Sequence, residues 1–260
     1  MFSKKELTAQ IAAMGILPTD TVLIHTSMRA IGEVENGADG VIDAFRDYLT
    51  DGLFLVPTHT WANVHRKQPI YDVKTAVPNI GALPRVAAFR ADGVRSLNPT
   101  HSMWACGKGA ADFVKNEENA PTSGAPGFAW ERLAHVGAKI LLIGVGNDKN
   151  TFIHAVEELA NVPDRLEKPY EVTIRDGAGN EYKHLYASYY CSKCEDVSHN
   201  FGNFEKPFVA LGAQHFGRLG NAEVRVVDAA ACRDIILRIL GRTSEDLCLE
   251  RRDIKEELYL

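Results

Sequence analysis

The stretch "KILLIGVGNDKNTFIHAVEE", residues 139–158, decides the fold class of this chain. Its first seven residues form an apolar run of strand length, which is typical of a strand buried on both faces. Two glycines, Gly144 and Gly146, mark a turn, and residues 151–160 follow with the spacing of a helix. Because a buried strand that passes directly into a helix is the repeating unit of α/β proteins, the stretch predicts that class.

The segments on either side continue the alternation. Further strands are predicted at 21–25, 52–57, 102–107 and 222–228, and further helices at 4–14, 37–49, 80–90, 126–137 and 229–240. Residues 170–176 and 181–187 flank the turn "GAGN" and predict a hairpin, a helical region covers about 195–212, and the tail from 251 is read as helical. We therefore predict an α/β fold in a single domain, residues 1–260, whose mixed, mostly parallel sheet is covered by helices. A small antiparallel and helical subregion is expected at about 165–215.

The composition excludes several classes of protein. The chain has 260 residues, of which 45% are hydrophobic, enough for one large core. Its net charge is −5 and no basic run stands out, so a nucleic-acid partner is not expected. No apolar run approaches the ~20 residues that cross a bilayer, and the first 15 residues read as an amphipathic helix. We predict a soluble, cytoplasmic protein whose five cysteines are reduced.

The helix after the central strand carries a candidate reaction site. Thr151, His154 and Glu157 are spaced three residues apart and therefore share one helical face. A histidine titrates near neutral pH and can act as a general base, a carboxylate can orient it, and a hydroxyl can donate to an oxyanion. This trio suits acyl transfer to nitrogen. The alternative is an ordinary polar pair on a helix, which the spacing alone does not exclude.

Polar residues also follow two other predicted strands, in "HTSMR" (25–29) and "PTHTW" (57–61). Ligands of open α/β sheets bind beyond the carboxyl ends of the strands, and backbone N–H groups of such turns suit phosphates. Neither the dinucleotide fingerprint nor a P-loop is present, so neither NAD nor ATP is predicted. The connector 58–78 is long for a simple loop and is expected to shape a site or lid.

Ordered blocks of the sequence resemble the aminoglycoside 3-N-acetyltransferases, a family that uses acetyl-coenzyme A. The blocks are "VLIHTSMRAIGEVENGADGVIDAF" (22–45), "GLFLVPTHTW" (52–61), 77–107 and "ILLIGVGNDKNTFIHAVEE" (140–158), with weaker similarity over 211–236. The resemblance implies a mixed α/β fold particular to the family. It also implies direct acetyl transfer from acetyl-CoA to an amine of an aminoglycoside, at its 3-amino group, or to a related amine. An antibiotic-resistance role, a homodimer and a site without metal are further expectations.

The resemblance assigns roles to individual residues. His154 matches the general base, Glu157 the supporting carboxylate, and Thr151 the hydroxyl that steadies the tetrahedral intermediate. The residues that match coenzyme contacts are Thr26, Ser27, Met28, Arg29 and Ser102. Arg29 has an equal alternative as a helix-surface residue. In the same block as Ser102, Arg95 and His101 receive no firm role.

Three residues of the long connector are expected to form one wall of the amine site: Trp61, Tyr71 and Asp72. A carboxylate there would bind a cationic amine, although Asp72 equally suits the start of a turn. The sequence departs from the family pattern in "YYCSKCEDVSHNF" (189–201), where substrate-facing acids are expected. Cys191 and Cys194 have zinc-ligand spacing, with His184 or His199 as further candidates, but reduced thiols near a substrate-facing loop are favoured.

The departure keeps two other functions open. One is a coenzyme A- or amine-binding member of the family with little aminoglycoside activity and another natural amine. The other is a hydrolase with Ser27 or Ser102 as nucleophile, although no G-x-S-x-G elbow is present.

Overall fold

The computed structural model describes all residues, 1–260. Its strands are β1 (Thr21–Thr26), β2 (Leu53–Pro57), β3 (Ile70–Asp72), β4 (Val94–Arg95), β5 (Met103–Gly107), β6 (Lys139–Ile143), β7 (Tyr170–Arg175), β8 (Glu181–Tyr186), β9 (Gln214–Leu219) and β10 (Ala222–Asp228). Its α-helices are α1 (Lys4–Ala13), α2 (Met28–Ile31), α3 (Gly37–Tyr48), α4 (Ala82–Ala87), α5 (Ala110–Phe113), α6 (Ala129–His135), α7 (Phe152–Leu159), α8 (Glu205–Ala210) and α9 (Ala229–Leu240). Short 3₁₀ helices lie at 117–119, 147–149, 197–204 and 256–258.

Seven strands form the main sheet in the order β4-β5-β2-β1-β6-β10-β9. The three central strands are parallel, with Leu23 of β1 beside Leu55 of β2 and Ile140 of β6. The outer pairs, β2–β5, β5–β4, β6–β10 and β10–β9, are antiparallel. The predicted α/β class with a mixed sheet is confirmed, and parallel pairing in the main sheet is confined to the three strands that the apolar runs identified.

Helices cover both faces of this sheet because its central strands are buried on both faces. Alternate residues of β1 point to opposite sides, with Val22 and Ile24 in one core and Leu23 in the other. The first core packs α1, α3 and α4 against the sheet, and the second packs α6, α7, α8 and α9. Helix α7 buries Ile153 and Val156 in this second core, where it packs against α6 and α9.

The predicted hairpin is present as β7 and β8, but it belongs to a second sheet of three strands, in the order β3-β7-β8. Strand β3, from the long connector, pairs with β7 in parallel. This small sheet has its own core around Tyr71, Val172 and Tyr186. The hairpin therefore does not extend the main sheet.

Two expectations for the C-terminal part change. Strand β9 carries no clear signal in the sequence, because its residues "QHFGRL" alternate weakly and its burial is confined to the two ends. The tail expected to be helical contains only the 3₁₀ turn at 256–258. None of the helices combines the length and apolar character that crossing a bilayer requires.

Candidate active site

A cavity of about 730 Å³ opens at one edge of the main sheet, where β1, β2 and β6 end. Thr26 lies at the end of β1, His59 follows β2, and residues 145–151 follow β6. Strand β5 runs in the opposite direction, so its first residue, Met103, pairs with the last residue of β2 and brings His101 to the same edge. The cavity is where ligands of α/β sheets are expected, beyond the carboxyl ends of parallel strands. A second part of its wall comes from residues 188–198.

Gly144 lets the turns after β1 and β6 lie against each other. It has φ +67°, and a Cβ at this position would lie 2.3 Å from the Cβ of Ala30. The amide of Ser27 also donates to the carbonyl of Ile143, at 2.9 Å. Only glycine fits both the backbone conformation and the space, so the "GVG" turn closes one side of the cavity.

His154 lies on the cavity wall with a carboxylate behind it. Its Nδ1 atom is 3.6 Å from Oε2 of Glu157, and both atoms are buried without a hydrogen-bond partner. Glu157 is 2% exposed, and its Oε1 accepts a 2.8 Å hydrogen bond from Nε of Arg165. Arg165 also donates to Asp246, at 2.6 Å. Because Nδ1 is turned toward Glu157, the Nε2 edge of the ring is left for the cavity.

The carboxylates of Glu157 and Asp246 favour the charged form of Arg165. Burial alone would lower the pKa of Arg165, but the hydrogen bond to Asp246 and the charge of Glu157 outweigh it and raise the pKa. The guanidinium therefore stays charged beside the buried Glu157 carboxylate.

Aromatic contacts fix the plane of the His154 ring. Tyr189 stacks on it, with ring centroids 4.1 Å apart and planes inclined by 20°, and Phe201 meets it edge-on at 4.7 Å. Tyr189 comes from the 188–198 wall and Phe201 from the 3₁₀ helix at 197–204. Two rings and one carboxylate thus restrict the imidazole from three sides.

Three residues predicted for the site line the same cavity as His154: Thr26, Trp61 and Thr151. Thr151 begins α7, yet its side chain makes no capping hydrogen bond, which leaves the hydroxyl free for another partner. Trp61 is 49% exposed and lies at the mouth. Thr151, His154 and Glu157 lie close together because they share one helical face directly after the end of β6.

Three buried histidines besides His154 line the cavity: His25, His59 and His101. Burial, followed by the charge of Lys149, lowers the pKa of His25 to about 3, and burial with the charge of His154 lowers the pKa of His101 to about 3. Burial also holds the pKa of His59 well below its usual range. These rings are neutral at pH 7. The Nε2 atoms of His25 and His59 are buried and unpaired, so they offer hydrogen bonds to a ligand.

The cavity carries several acidic groups near its mouth: Asp148, Glu167, Glu195 and Asp196. Asp148 pairs with Lys149 at 3.0 Å and Glu167 with Arg66 at 3.1 Å. Burial would raise the pKa of Asp196, but hydrogen bonds from Ser198 outweigh it and lower the pKa. Asp196 is therefore anionic at neutral pH, and Glu195 is exposed next to it. The two acids of the segment 189–201, Glu195 and Asp196, both line the cavity just after the two cysteines.

The expected coenzyme contacts after Thr26 lie outside the cavity wall. Ser27 caps α2 by accepting from the amide of Ala30, and Met28 packs against the core beneath α1 and α3. Arg29 is exposed on α2, in agreement with its alternative as a helix-surface residue. The turn begins a short helix at Met28, and this rotates the next side chains away from the cavity.

Three other predicted site residues are placed in the interior or in a turn. Ser102 is fully buried and donates to the carbonyl of Thr58, at 2.8 Å. Tyr71 is fully buried in the core of the small sheet, where its hydroxyl donates to the carbonyl of Ser96. Asp72 accepts from the amide of Lys74 at 2.9 Å, which is the turn alternative. Ser102, Tyr71 and Asp72 do not line the cavity.

Cys191 and Cys194 are free thiols, and Cys191 lines the cavity. No group of three or more histidine, cysteine, aspartate or glutamate side chains is arranged to hold a metal ion. His184 instead pairs through Nε2 with the carbonyl of Ala120, at 3.0 Å. The zinc alternative therefore lacks the third and fourth ligands that a structural site needs.

Sequence reasoning missed four residues of the site: His25, His59, Arg165 and Tyr189. The two histidines stand in the segments "HTSMR" and "PTHTW", so their position after a strand was a usable signal. Arg165 and Tyr189 come from irregular segments that reach the site only through folding, and nothing in their local sequence marks them.

Comparison with known proteins agrees with this architecture. A family model described as aminoglycoside 3-N-acetyltransferase matches residues 23–240. Aminoglycoside N(3)-acetyltransferase III of Serratia marcescens is 26% identical over 248 residues, which are 86% of this chain and 92% of that protein. A crystal structure of a variant of aminoglycoside acetyltransferase AAC(3)-IVa in complex with a gentamicin is 25% identical, with a TM-score of 0.78 over 93% of this chain and 89% of that one. The fold is also that of AAC-IIIb in its binary structure with CoASH, at 23% identity and a TM-score of 0.80 over 94% and 99% of the two chains. Because the family model spans most of its length, the chain belongs to the aminoglycoside 3-N-acetyltransferase family.

Proposed function

We propose that this acyltransferase moves an acetyl group directly from acetyl-CoA to an amine of an aminoglycoside, at the 3-amino group, or of a related compound. Membership of the family supplies the reaction class and the acetyl donor. The observation that carries the mechanism is the His154 ring on the cavity wall, with Nδ1 3.6 Å from a buried carboxylate.

His154 is the proposed general base. As the amine nitrogen attacks the thioester carbonyl, Nε2 of His154 takes a proton from that nitrogen. The new C–N bond forms, the C–S bond breaks, and the imidazolium returns the proton to the departing coenzyme thiolate. No acyl group is transferred to the protein. Glu157 is a positioning residue that stabilises the imidazolium and fixes the ring, since Arg165 holds its other oxygen at 2.8 Å.

Thr151 is the proposed donor to the oxyanion. Its hydroxyl is on the same helical face as His154 and is not used to cap α7. A hydroxyl at this point can donate to the carbonyl oxygen as it becomes negative, and such a preorganised donor is among the larger contributions to acyl transfer.

The cavity has groups suited to both substrates. Thr26 and Lys149 lie at the strand ends and offer a hydroxyl and a cation to the coenzyme. The unpaired Nε2 atoms of His25 and His59 are polar atoms that a bound pantetheine amide would satisfy. Near the mouth, Glu195, Asp196 and the Trp61 ring suit a substrate with several cationic amines.

A second candidate is a family member with little aminoglycoside activity that acetylates another amine. The 188–198 wall favours it, because Cys191 and Tyr190 give this part of the cavity a thiol and an apolar ring beside the acids. A homodimer, a single acetyltransferase domain over residues 1–260 and a cytoplasmic location complete the proposal.

Coenzyme thiol release tests the function. The full-length protein is mixed with acetyl-CoA and a panel of aminoglycosides, polyamines and simple amines, and thiol release is followed with and without each amine. We expect amine-dependent release by the wild type and a fall in kcat of about 100- to 10,000-fold in His154→Gln. His199→Gln, an exposed histidine outside the cavity lining, is the matched control. Equal rates for the wild type and His154→Gln would remove the proposed base, and release with non-aminoglycoside amines alone would favour the second candidate.

A further inference from the structure

The thiols of Cys191 and Cys194 face each other beside the cavity. Their Sγ atoms are 2.8 Å apart, with the thiol of Cys194 donating to Cys191. The other three cysteines, at 106, 232 and 248, are free and buried. Two thiols at this distance form a dithiol that needs little movement to close, whereas the buried cysteines are shielded from reagents.

The two sulfurs differ in their access to the cavity. Cys191 lines the cavity and Cys194 does not, so a small molecule in the cavity meets Cys191 first. Burial, the hydrogen bond to Cys191 and the charge of Cys191 together raise the pKa of Cys194 to about 12. Cys194 therefore keeps its proton at neutral pH.

The backbone around the pair is anchored. Asp164 accepts from both the amide and the hydroxyl of Ser192, at 2.9 and 2.7 Å, and the amide of Tyr190 donates to the carbonyl of Arg165. A disulfide bond is about 2.0 Å long, so closing the pair requires the sulfurs to approach by less than about 1 Å. The anchors keep the two residues in register while side-chain rotation makes that approach.

We propose that Cys191 and Cys194 form a reversible disulfide by exchange with low-molecular-weight disulfides that enter the cavity, and that this bond restrains the wall bearing Tyr189. The Cys191 thiolate attacks one sulfur of the small disulfide, which forms a mixed disulfide and releases one small thiolate. Cys194 then loses its proton to solvent and attacks the Cys191 sulfur, which releases the second small thiol. Two protein thiols are oxidised and one small disulfide is reduced to two thiols.

The bond affects the site because Tyr189 precedes Cys191 by two residues and stacks on His154. A closed pair removes freedom from the segment that must adjust when an amine enters. This consequence rests on the function proposed above, whereas the thiol chemistry does not.

Oxidised glutathione is the probe. The reduced full-length protein is incubated with it, and free thiols, intact mass and cysteine-containing peptides are measured. We expect the wild type to lose two thiols and the mass of two hydrogen atoms, with residues 191 and 194 linked. Cys194→Ser should retain one glutathione on Cys191, Cys191→Ser should not react in this segment, and Lys193→Ala, an exposed residue between the pair, should behave like the wild type.

Several results would overturn the proposal. They are a glutathione adduct that persists on the wild type, a link between two chains, and equal reactivity of the two serine variants. In the oxidised protein we expect kcat/KM for the amine to fall at least about threefold and to recover with dithiothreitol. An unchanged kcat/KM would overturn the restraint. If the reduced protein transferred no acetyl group at all, the proposed function would fail while the thiol counts would still decide the disulfide.

Discussion

Two buried polar clusters are built from adjacent residues of the same chain segments. They differ in whether their polar atoms have hydrogen-bond partners within the protein. The cavity cluster contains His25, His59, His101, His154 and Glu157. The Arg95 cluster contains Arg95, Thr58, Ser102 and Tyr71. Thr58 and Ser102 are the chain neighbours of His59 and His101, so adjacent side chains are divided between the two.

The Arg95 cluster is internally satisfied. The guanidinium donates to Thr58 and Ser102, at 3.1 to 3.3 Å, and to the carbonyl of Ala76 at 2.6 Å, and it lies over the Tyr71 ring. In the cavity cluster, by contrast, atoms of His25, His59, His154 and Glu157 are buried without partners. Unpaired buried atoms carry a free-energy cost that a bound substrate can relieve. The two clusters therefore differ in how fully the protein pairs their buried polar atoms, and three of the four residues with unpaired atoms line the cavity: His25, His59 and His154.

The largest expected difference between the clusters is their effect on the free energy of unfolding at acidic pH. His25 and His101 are neutral when folded, with pKa values of about 3, whereas an unfolded histidine has a pKa of about 6.5. Between these values the unfolded state binds more protons, so stability is full above about pH 6.5 and falls as the pH drops. The expected loss is ~1.4 kcal/mol per pH unit for each ring. Denaturant unfolding at about pH 7 and about pH 5 measures it.

His25→Gln should reduce the pH dependence of the free energy of unfolding by the contribution of one ring. His199→Gln, at an exposed position, should leave that dependence unchanged. A free energy of unfolding that is constant between the two pH values would show that the cavity histidines are not held neutral by burial.

The next largest effect is expected from Glu157→Gln. The amide can still accept from Arg165, but it no longer stabilises the His154 imidazolium, so kcat should fall by about 10- to 100-fold with KM for the amine nearly constant. Steady-state kinetics measures both. The control is Glu131→Gln. Glu131 pairs with His135 at 2.6 Å, and both residues lie on α6, outside the cavity lining. A change in KM alone would mean that Glu157 acts on binding and not on the base.

Ser102→Ala tests the Arg95 cluster. The change leaves Nε of Arg95 and Oγ1 of Thr58 with fewer partners, and we expect the free energy of unfolding to fall by about 1 to 3 kcal/mol with KM for acetyl-CoA unchanged. A raised KM for acetyl-CoA without loss of stability would instead support the coenzyme contact first expected of Ser102. Both clusters would then bind substrate.

The smallest effect is expected from Tyr71→Phe. Loss of the 3.0 Å hydrogen bond to Ser96 should cost about 1 kcal/mol of stability and leave amine turnover unchanged. Trp61→Ala is the comparison at the cavity mouth, where half the ring is exposed: it should raise KM for the amine with little loss of stability. An altered KM in Tyr71→Phe would place the small sheet in contact with the substrate.

Histidine and glutamate at helical spacing do not by themselves indicate a catalytic site. Glu131 and His135 form such a pair on α6, yet Glu131 is buried, His135 is exposed, and neither lines the cavity. His154 and Glu157 differ because their helix directly follows a central parallel strand, β6. The strand end distinguished the two pairs.

Local pattern determined much of this protein by itself. The apolar runs fixed the central strands, the helix period fixed α3, α7 and α9, and the trio at 151–157 was found because both signals lie within one short stretch. These features depend on backbone periodicity and on burial of the nearest side chains, which a sequence records directly. The family resemblance added the reaction class.

Only the tertiary structure decided which polar residues face the cavity. Ser102 and His101 are adjacent in the turn before β5, yet Ser102 joins the Arg95 cluster and His101 lines the cavity. Tyr189 stacks on His154 and Cys191 lines the cavity from a distant part of the chain, so their positions depend on long-range packing that no local pattern encodes. Arg165 reaches Glu157 from the irregular segment that follows α7. Sequence spacing places side chains on a face, but the partners across that face are set by how the elements pack together.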